Sequence, residues 1–456
     1  MPTSRTRYLC GALALGLVVL PGAAPVQQVA EKPGGEPKTF EAISLLGIPL
    51  VSPPGGGAAL ASYEQARRDF ETDPTEDHYI WLGRRMAYLG RYRDAIGVYT
   101  EGLAKFPDSY RLLRHRGHRY ISVRQFGRAI ADFERAAALA KDRPLEVEPD
   151  GAPNKAGIPV SNTHFNIYYH LGLAYYLTRD FAKAEAAYRK CLEWSKNPDS
   201  VVAVSDWLYM TLRRTGHAAE AAEVLSGIRA GMPLLENGAY LDRLLMFKGD
   251  VTPEDFARPR PDESGPETAI RAYGAGLVRL WSGDRAGART EFEKVVRAGS
   301  WASFATIAAE ADIADLERIE PDRRTPASTL AAWTTAWNLS DLDLVMSLFS
   351  QQPPPTYFSS ERAGRISGLD ALRVHHQGFG FVAGGKVSDS RLWPDEVVIE
   401  ERGDVAAATA AWFFDRDVAG VAPPQRGPVT FVLVNSPDGW RIQHAHFAND
   451  PPAGTP

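Results

Sequence analysis

Apolar and polar positions along this chain change their spacing twice. From residue 76 they recur at helical intervals inside a longer period. Gly83 falls in step with Gly117, 34 residues on, and its neighbours follow: Met86 with Tyr120, Tyr92 with Phe126, Ala95 with Ala129, Tyr99 with Phe133, Gly102 with Ala136. Small residues mark where two helices touch, and aromatic residues mark where a ring plugs the next pair, so each unit is predicted to be two amphipathic helices. Units are expected near 76–109, 110–143, 165–198, 202–231 and 269–300, with a lone helix at Tyr240 to Phe247 and a closing helix at 303–319. Beyond Arg323-Arg324 three short helices are expected, starting at Thr325, Ser340 and Ser367, with a strand near Tyr357-Phe358. From Lys386 the period becomes two. The candidate strands are 386–393, 396–402, 404–414, 427–436 and 439–447, with a tight turn at Ser436-Pro437-Asp438-Gly439.

The 34-residue columns resemble the tetratricopeptide repeat, most clearly in Tyr168, Leu171, Gly172, Tyr175, Phe181, Ala184 and Tyr188. The resemblance implies a superhelical solenoid over 61–320 whose concave side is lined by the first helix of each pair. The groove-facing positions of that family fall here on Arg84, Tyr88, Arg111, Arg114, His118, Tyr169, Tyr176, Arg213 and Arg214, with Asp206 among them. A basic, aromatic groove suits an extended, acidic peptide segment, because Arg forks pair with carboxylates and Tyr faces add contact area. The alternative is that these arginines are solvated side chains on a helix face. The family's carboxylate clamp needs a Lys and an Asn where this chain has Ile80 and Arg84, so that clamp is not implied. Tyr92, Tyr99, Phe126, Phe133, Phe181 and Tyr188 are read as core plugs.

The last 125 or so residues resemble the SnoaL-like branch of the nuclear-transport-factor-2-like superfamily. The residues that carry this are Ala332-Trp333, Trp337-Asn338, Asp341-Leu342-Asp343, Gly368-Leu369-Asp370-Ala371-Leu372-Arg373 and Gly439-Trp440-Arg441-Ile442-Gln443-His444-Ala445-His446. The resemblance implies an α+β cone over 325–450, a curved antiparallel sheet around helices. The fold class is thus two-domain, an all-α solenoid followed by an α+β cone. Members include isomerases, cyclases and dehydratases, and others that bind a ligand or dimerise, so the fold alone does not give a function.

Composition narrows the rest. The 456 residues carry 51 basic and 56 acidic side chains, a net charge of −5. No basic surface for nucleic acid is expected. Arg5 and Arg7 precede an apolar run from Tyr8 to Leu20 and then Pro21-Gly22-Ala23-Ala24, a secretory leader over 1–24 that predicts a periplasmic or extracellular protein. Pro- and Gly-rich residues 25–60 read as a flexible tether. Cys10 lies in the leader, and Cys191 alone makes no disulfide.

Chemistry was sought in the cone. Side chains two apart on a strand share a face, so Ile442, His444 and His446 are expected to point inward, beside Trp333, Trp337, Tyr357, His376 and Trp412. His444 or His446 as general base, with Tyr357 stabilising charge, is one reading; structural histidines are the other. No metal is expected, for want of a third ligand at the right spacing. No cofactor is expected either, since no Gly-rich phosphate loop or serine elbow appears. The resulting expectation is an exported protein- or peptide-binding scaffold whose cone binds a small apolar ligand or dimerises. One alternative is an enzyme doing acid–base chemistry in the cone, its solenoid recruiting substrate. Another is a structural envelope assembly factor.

Overall fold

The computed structural model describes residues 39–46, 49–52, 55–258, 260, 263–319, 325–385, 390–416, 425–437 and 439–451. The expected leader, Cys10, the first part of the expected tether, Arg323-Arg324 and Asp438 of the expected turn lie outside the described residues. A short hairpin, β1 (Thr39–Ile43) and β2 (Pro49–Ser52), comes first. Helices follow as α1 (Gly57–Thr72), α2 (Glu76–Tyr88), α3 (Tyr92–Lys105), α4 (Tyr110–Ser122), α5 (Phe126–Ala140), α6 (Thr163–Leu177), α7 (Phe181–Glu193), α8 (Pro198–Thr215) and α9 (Ala218–Ser226). Next are α10 (Gly238–Lys248), α11 (Pro253–Phe256), α12 (Gly265–Trp281), α13 (Arg285–Arg297) and α14 (Phe304–Ile319). Side-chain caps start several of these helices: Thr75, Ser109 and Asn162 each accept a backbone N–H of the first turn, and Asn197 and Ser264 form capping boxes.

One repeated pairing holds the helical hairpins. A Cβ on Gly117 would lie 2.9 Å from the Phe133 ring, and one on Gly172 would lie 2.7 Å from the Tyr188 ring. Gly83 meets Tyr99, and Gly276 meets Phe292, in the same way. The absent side chain lets the two backbones close up, and the ring seals the gap. The ring then reaches the next pair: Tyr99 stacks on His115 at 5.9 Å and Phe133 on His170 at 5.8 Å. In α8 and α9 the pairing is reversed in size, with Tyr209 on the first helix and Leu225 on the second, both buried.

The cone comprises α15 (Pro326–Asn338), α16 (Leu342–Ser347), β3 (Thr356–Ser359), β4 (Arg362–Ser367), α17 (Leu369–Gly378), β5 (Arg391–Arg402), β6 (Val405–Asp415), β7 (Gln425–Ser436) and β8 (Gly439–Phe447). Its six strands run in the order β4-β3-β8-β7-β6-β5, with β3 parallel to β8 and the other neighbours antiparallel. Of the strand expected at 386–393, residues 386–389 lie outside the described residues; from Arg391 on it and the strand expected at 396–402 are one strand, kinked where Glu396 takes a φ of 52° and the register slips between Asp395 and Val398. Strand β4, Arg-Ala-Gly-Arg-Ile-Ser, was not expected, because it is polar and lies at the sheet edge with one buried side chain, Ile366. Helix α16 is capped by Asp341 rather than Ser340, which sits at φ 47°.

The tether expectation needs correction. Residues 39–52 form the β1–β2 hairpin, with Glu41, Ala42, Ser44, Leu45 and Leu50 buried. An isolated hairpin is marginal in water, and this one is held by other parts of the chain. The Arg93 amide donates to Glu41 at 2.9 Å, Ser52 Oγ donates to the Gly90 carbonyl at 2.8 Å, and Trp301 Nε1 donates to the Val51 carbonyl at 3.1 Å.

Replacing Gly172 by Ala should destabilise the protein, although alanine is the better helix former by about 1 kcal/mol. Overpacking against the buried Tyr188 ring costs about 1–3 kcal/mol. A lower urea midpoint with unchanged m is expected, partly restored by adding Tyr188→Leu. A midpoint at or above the native value would show that the ring does not require the glycine.

Candidate functional site

The first helices of successive pairs, α2, α4, α6 and α8, lie side by side, and their inward side chains meet other parts of the same chain. Arg111 Nη2 lies 2.6 Å from Asp77, with Glu146 at 3.7 Å. Buried Arg114 pairs with Glu148 at 3.0 Å and touches His115 Nδ1 at 3.0 Å. Glu146 and Glu148 belong to the insertion between α5 and α6, and Asn166 donates to Glu148 at 3.0 Å. Arg214 donates to both oxygens of Asp312 on α14 at 2.7 Å. Fully buried Asp206 is paired with Arg243 of α10, whose Nε lies 2.9 Å away. Arg111, Arg114 and Arg214 of the groove expected to be basic and open are therefore neutralised by the chain's own acids. Two of its tyrosines are core: Tyr169 is buried against Phe165 at 5.3 Å, and the Tyr176 and Tyr273 hydroxyls lie 3.0 Å apart; Tyr88 is exposed. Arg84 half-covers Trp81 at 4.6 Å, and exposed Arg213 lies over Trp281 at 4.4 Å.

Two further arginines escaped the sequence reading. Seven residues after the small position of each first helix the backbone is left-handed: Gly90, Arg124, Arg179, Gly216 and Gly283 have φ of 77°, 63°, 66°, 79° and 86°. Glycine adopts this freely, whereas a side chain costs about 1–2 kcal/mol. The second and third pairs nevertheless carry arginine. Arg124, fully buried, holds Glu310 of α14 through Nε at 3.2 Å and Nη2 at 2.5 Å, and also donates to the carbonyls of Ser122 and Trp301. Arg179 donates to Asp312 at 2.8 Å and lies 2.9 Å from Asp315. Glu310 also accepts the Leu45 amide of the N-terminal hairpin at 3.1 Å, and the Leu45 carbonyl accepts from Thr335 of the cone at 2.6 Å. Arg391 of the cone donates to the Arg124 carbonyl. Solenoid, closing helix, hairpin and cone thus share one buried node. The sequence signal was the replacement of glycine by arginine in two of five units.

One part of the concave side is left open. A cavity of about 630 Å³ lies between the ends of the solenoid. Tyr88, Tyr92 and His118 line one side, and Tyr240, Ile270 and residues 299–305 line the other. Tyr92 and Trp301 meet edge to face at 5.3 Å. His118 packs on His170 at 4.3 Å and on Phe304 at 5.4 Å. Burial, reinforced by Arg119, holds the His118 imidazole well below the usual histidine range. Of the expected groove residues, this cavity brings together only Tyr88 and His118.

The inside of the cone is filled by its own side chains; a cavity of about 770 Å³ lies instead along β5–β7, bordered by Asp395, Glu396, Thr409, Phe413, Arg426 and Asp450. Trp333 packs on Phe431 at 5.1 Å and Phe447 at 5.4 Å; Trp337 meets Phe381 at 5.0 Å and His376 at 5.5 Å. Tyr357 is buried against His375 at 5.3 Å and Phe447 at 5.5 Å. Trp412 donates to the Ala448 carbonyl at 2.9 Å. The cavity that Trp337, Tyr357, His375 and Trp412 border measures about 20 Å³, room for about one water. His444 and His446 are not in it. Val432 pairs with His444 but Leu433 with Ile442, so Gln443 is an extra residue in β8. This bulge reverses the alternation: Ile442, Ala445 and Phe447 face inward, while His444 is half-exposed and His446 exposed. His444 Nδ1 lies 2.7 Å from Thr356 Oγ1, and Phe358 lies 5.2 Å from His446. The expected inward general base is thereby withdrawn. The inward histidines are His375 and His376; Nδ1 of His376 lies 2.9 Å from the Leu372 carbonyl, and burial lowers its pKa to about 4. Among the described residues no cluster of His, Cys, Asp and Glu is placed to hold a metal, and no helix is long and apolar enough to cross a membrane.

A stacked-hairpin solenoid joined to a helix-filled cone is the architecture these contacts define. The family model of the tetratricopeptide repeat matches residues 165–198, and that of the SnoaL-like domain matches residues 327–450. The chain thus carries a tetratricopeptide repeat and a C-terminal SnoaL-like domain. Among solved structures it is similar to YrrB, a tetratricopeptide protein with an unusual peptide-binding site, at 14% identity, covering 52% of this chain and 93% of that one, with a TM-score of 0.30. It is also similar to a nuclear transport factor 2-like superfamily protein from Salmonella enterica serovar Typhimurium, at 24% identity over 28% of this chain and 89% of that one, TM-score 0.24. A third is a protein of that superfamily of unknown function from Pseudomonas putida, at 13% identity over 28% and 84%, TM-score 0.24. No curated protein matches the chain.

Two outcomes test this account. Arg124→Gly relaxes a left-handed backbone yet strands a buried Glu310; removing one partner of such a pair costs about 3–5 kcal/mol, which exceeds the 1–2 kcal/mol of backbone relief. A net loss in urea unfolding, partly recovered by Glu310→Leu, is expected; an Arg124→Gly protein as stable as the native one would refute the node. The second outcome concerns pH. An unfolded histidine titrates near 6.5 and folded His376 near 4, so between these values the unfolded chain binds the extra proton. Stability is then lost as pH falls from 6.5 to 4, by about 3 kcal/mol from this residue. His376→Phe should flatten that stretch of the stability curve, and an unchanged slope would contradict it.

Proposed function

We propose that the chain is an exported recognition protein whose solenoid binds an extended segment of a protein partner. The observation that carries this reading is the 630 Å³ opening between the ends of the solenoid, in a groove whose Arg111, Arg114 and Arg214 are already matched by internal carboxylates. A site of roughly 300–1,000 Å³ walled by apolar and aromatic groups is the usual form of a recognition pocket. The match to a tetratricopeptide repeat supports a protein partner in general. Export rests on the basic and apolar start of the chain, Arg5 to Leu20. The partner segment need not be acidic, since Arg111, Arg114 and Arg214 already hold carboxylates. The cone acts by bracing the closed solenoid through Thr335 and Arg391.

Selection from a displayed random-peptide library with the purified protein tests the reading. Enriched peptides should bind the soluble protein, and His118→Ala should weaken them by about tenfold, the effect of about 1.4 kcal/mol. A library that yields no binder would end the recognition reading.

A further inference from the structure

The open cavity has a chemical character that narrows what enters it. Six rings border it: Tyr88, Tyr92, His118, Tyr240, Trp301 and Phe304. None of the described residues lining it is an Asp, Glu, Lys or Arg. A wall of aromatic rings alone would suit a cation, which is drawn to the electron-rich ring face. Here that role is already filled. Arg119 lies over the Tyr92 ring at 5.4 Å, and Arg124 lies over the Trp301 ring at 5.6 Å. Two wall rings therefore already carry a guanidinium, and a second cation in the cavity would be repelled by both. The His118 imidazole, neutral beside Arg119, adds no negative charge.

An uncharged ring meets no such penalty. Aromatic pairs at centroid separations of about 4.5–7 Å gain about 0.5–1.5 kcal/mol beyond their buried area, and the walls already pair in this manner at Tyr92–Trp301 and His118–Phe304. Ser300 is among the lining residues and offers its hydroxyl to a peptide backbone or to an indole or phenol, while the Ser303 hydroxyl is held by Thr306. We infer that this cavity is a specificity pocket for an aromatic side chain, Trp, Tyr or Phe, presented by the extended partner segment. The inference rests on the recognition reading above and names the feature of the partner that is read.

Fluorescence polarisation with labelled Gly-Ser hexapeptides bearing one central Trp, Phe, Leu, Lys or Glu tests it. The Trp and Phe peptides should bind about tenfold or more tightly than the Leu peptide, with the Lys peptide weakest. N-acetyl-tryptophanamide, a free aromatic probe, should compete with the Trp peptide. Ile270→Trp on one wall, or Ala302→Trp on another, fills the space and should abolish binding while the thermal midpoint stays; two variants guard against a misfolded one. Equal affinity across the five peptides, failure of the free amide to compete, or Trp-peptide binding that survives both filled pockets would overturn the inference. Library binders without aromatic residues, or binders indifferent to Ile270→Trp, would sink the pocket and leave the recognition reading standing.

Discussion

The buried pair of Arg124 and Glu310 is the constraint on which the rest of the structure depends. Burying two charges is costly unless each is fully hydrogen-bonded, and here both are. The guanidinium is shared between Glu310 and the carbonyls of Ser122 and Trp301. The carboxylate also takes the Leu45 amide. Satisfying these groups requires the closing helix to fold back across the solenoid, the hairpin to insert beside it, and the cone to abut both. The second pair, Arg179 and Asp312, repeats the arrangement one unit on, with Arg214 and Tyr273 joining Asp312. Both arginines occupy a backbone conformation that glycine takes in the other units. A local cost is thereby accepted for a non-local connection, the pattern by which strained positions mark organising sites.

Much of the fold was legible because it is local. The pairing of Gly172 with Tyr188, sixteen residues apart, needs only two helices and a turn, and it recurs. The strands of the cone were legible where one face is buried and the other wet. What was not legible depends on partners distant in sequence. The Arg114 side chain looks available until Glu148 of the insertion is set beside it. Arg214 looks available until α14 folds back. The β1–β2 hairpin has no strong pattern of its own and is held by Arg93, Trp301 and Glu310, at Glu41, Val51 and Leu45 in turn. His444 and His446 were misplaced by one inserted residue, Gln443, since period-two reasoning assumes an unbroken ladder. Of the candidate site, Tyr88 and His118 were legible and Tyr240, Trp301 and Phe304 were not, because they come from the later part of the solenoid, far from Tyr88 and His118 in sequence.

The cone illustrates why a fold does not convey an activity. A sheet curved around a helix can leave a chamber, but Trp333, Trp337, Trp412 and Phe447 occupy this one. The interior imidazole of His376 is an apolar-site histidine, neutral because it is buried. An opening is found instead in the solenoid, beside the contacts by which the two ends of the array meet.

That approach also changes how the array comes apart. Stacked repeats ordinarily touch only their neighbours, so terminal modules fray singly while the middle persists. In this chain Leu45 is tied to a residue 265 positions away and to another 290 positions away. Neither described end of the repeat array is free to peel, and the hairpin ahead of the first module finds its partners only once the last helix has emerged. The array closes as a ring does, slowly, by non-local encounters, and its two described ends then hold each other against melting.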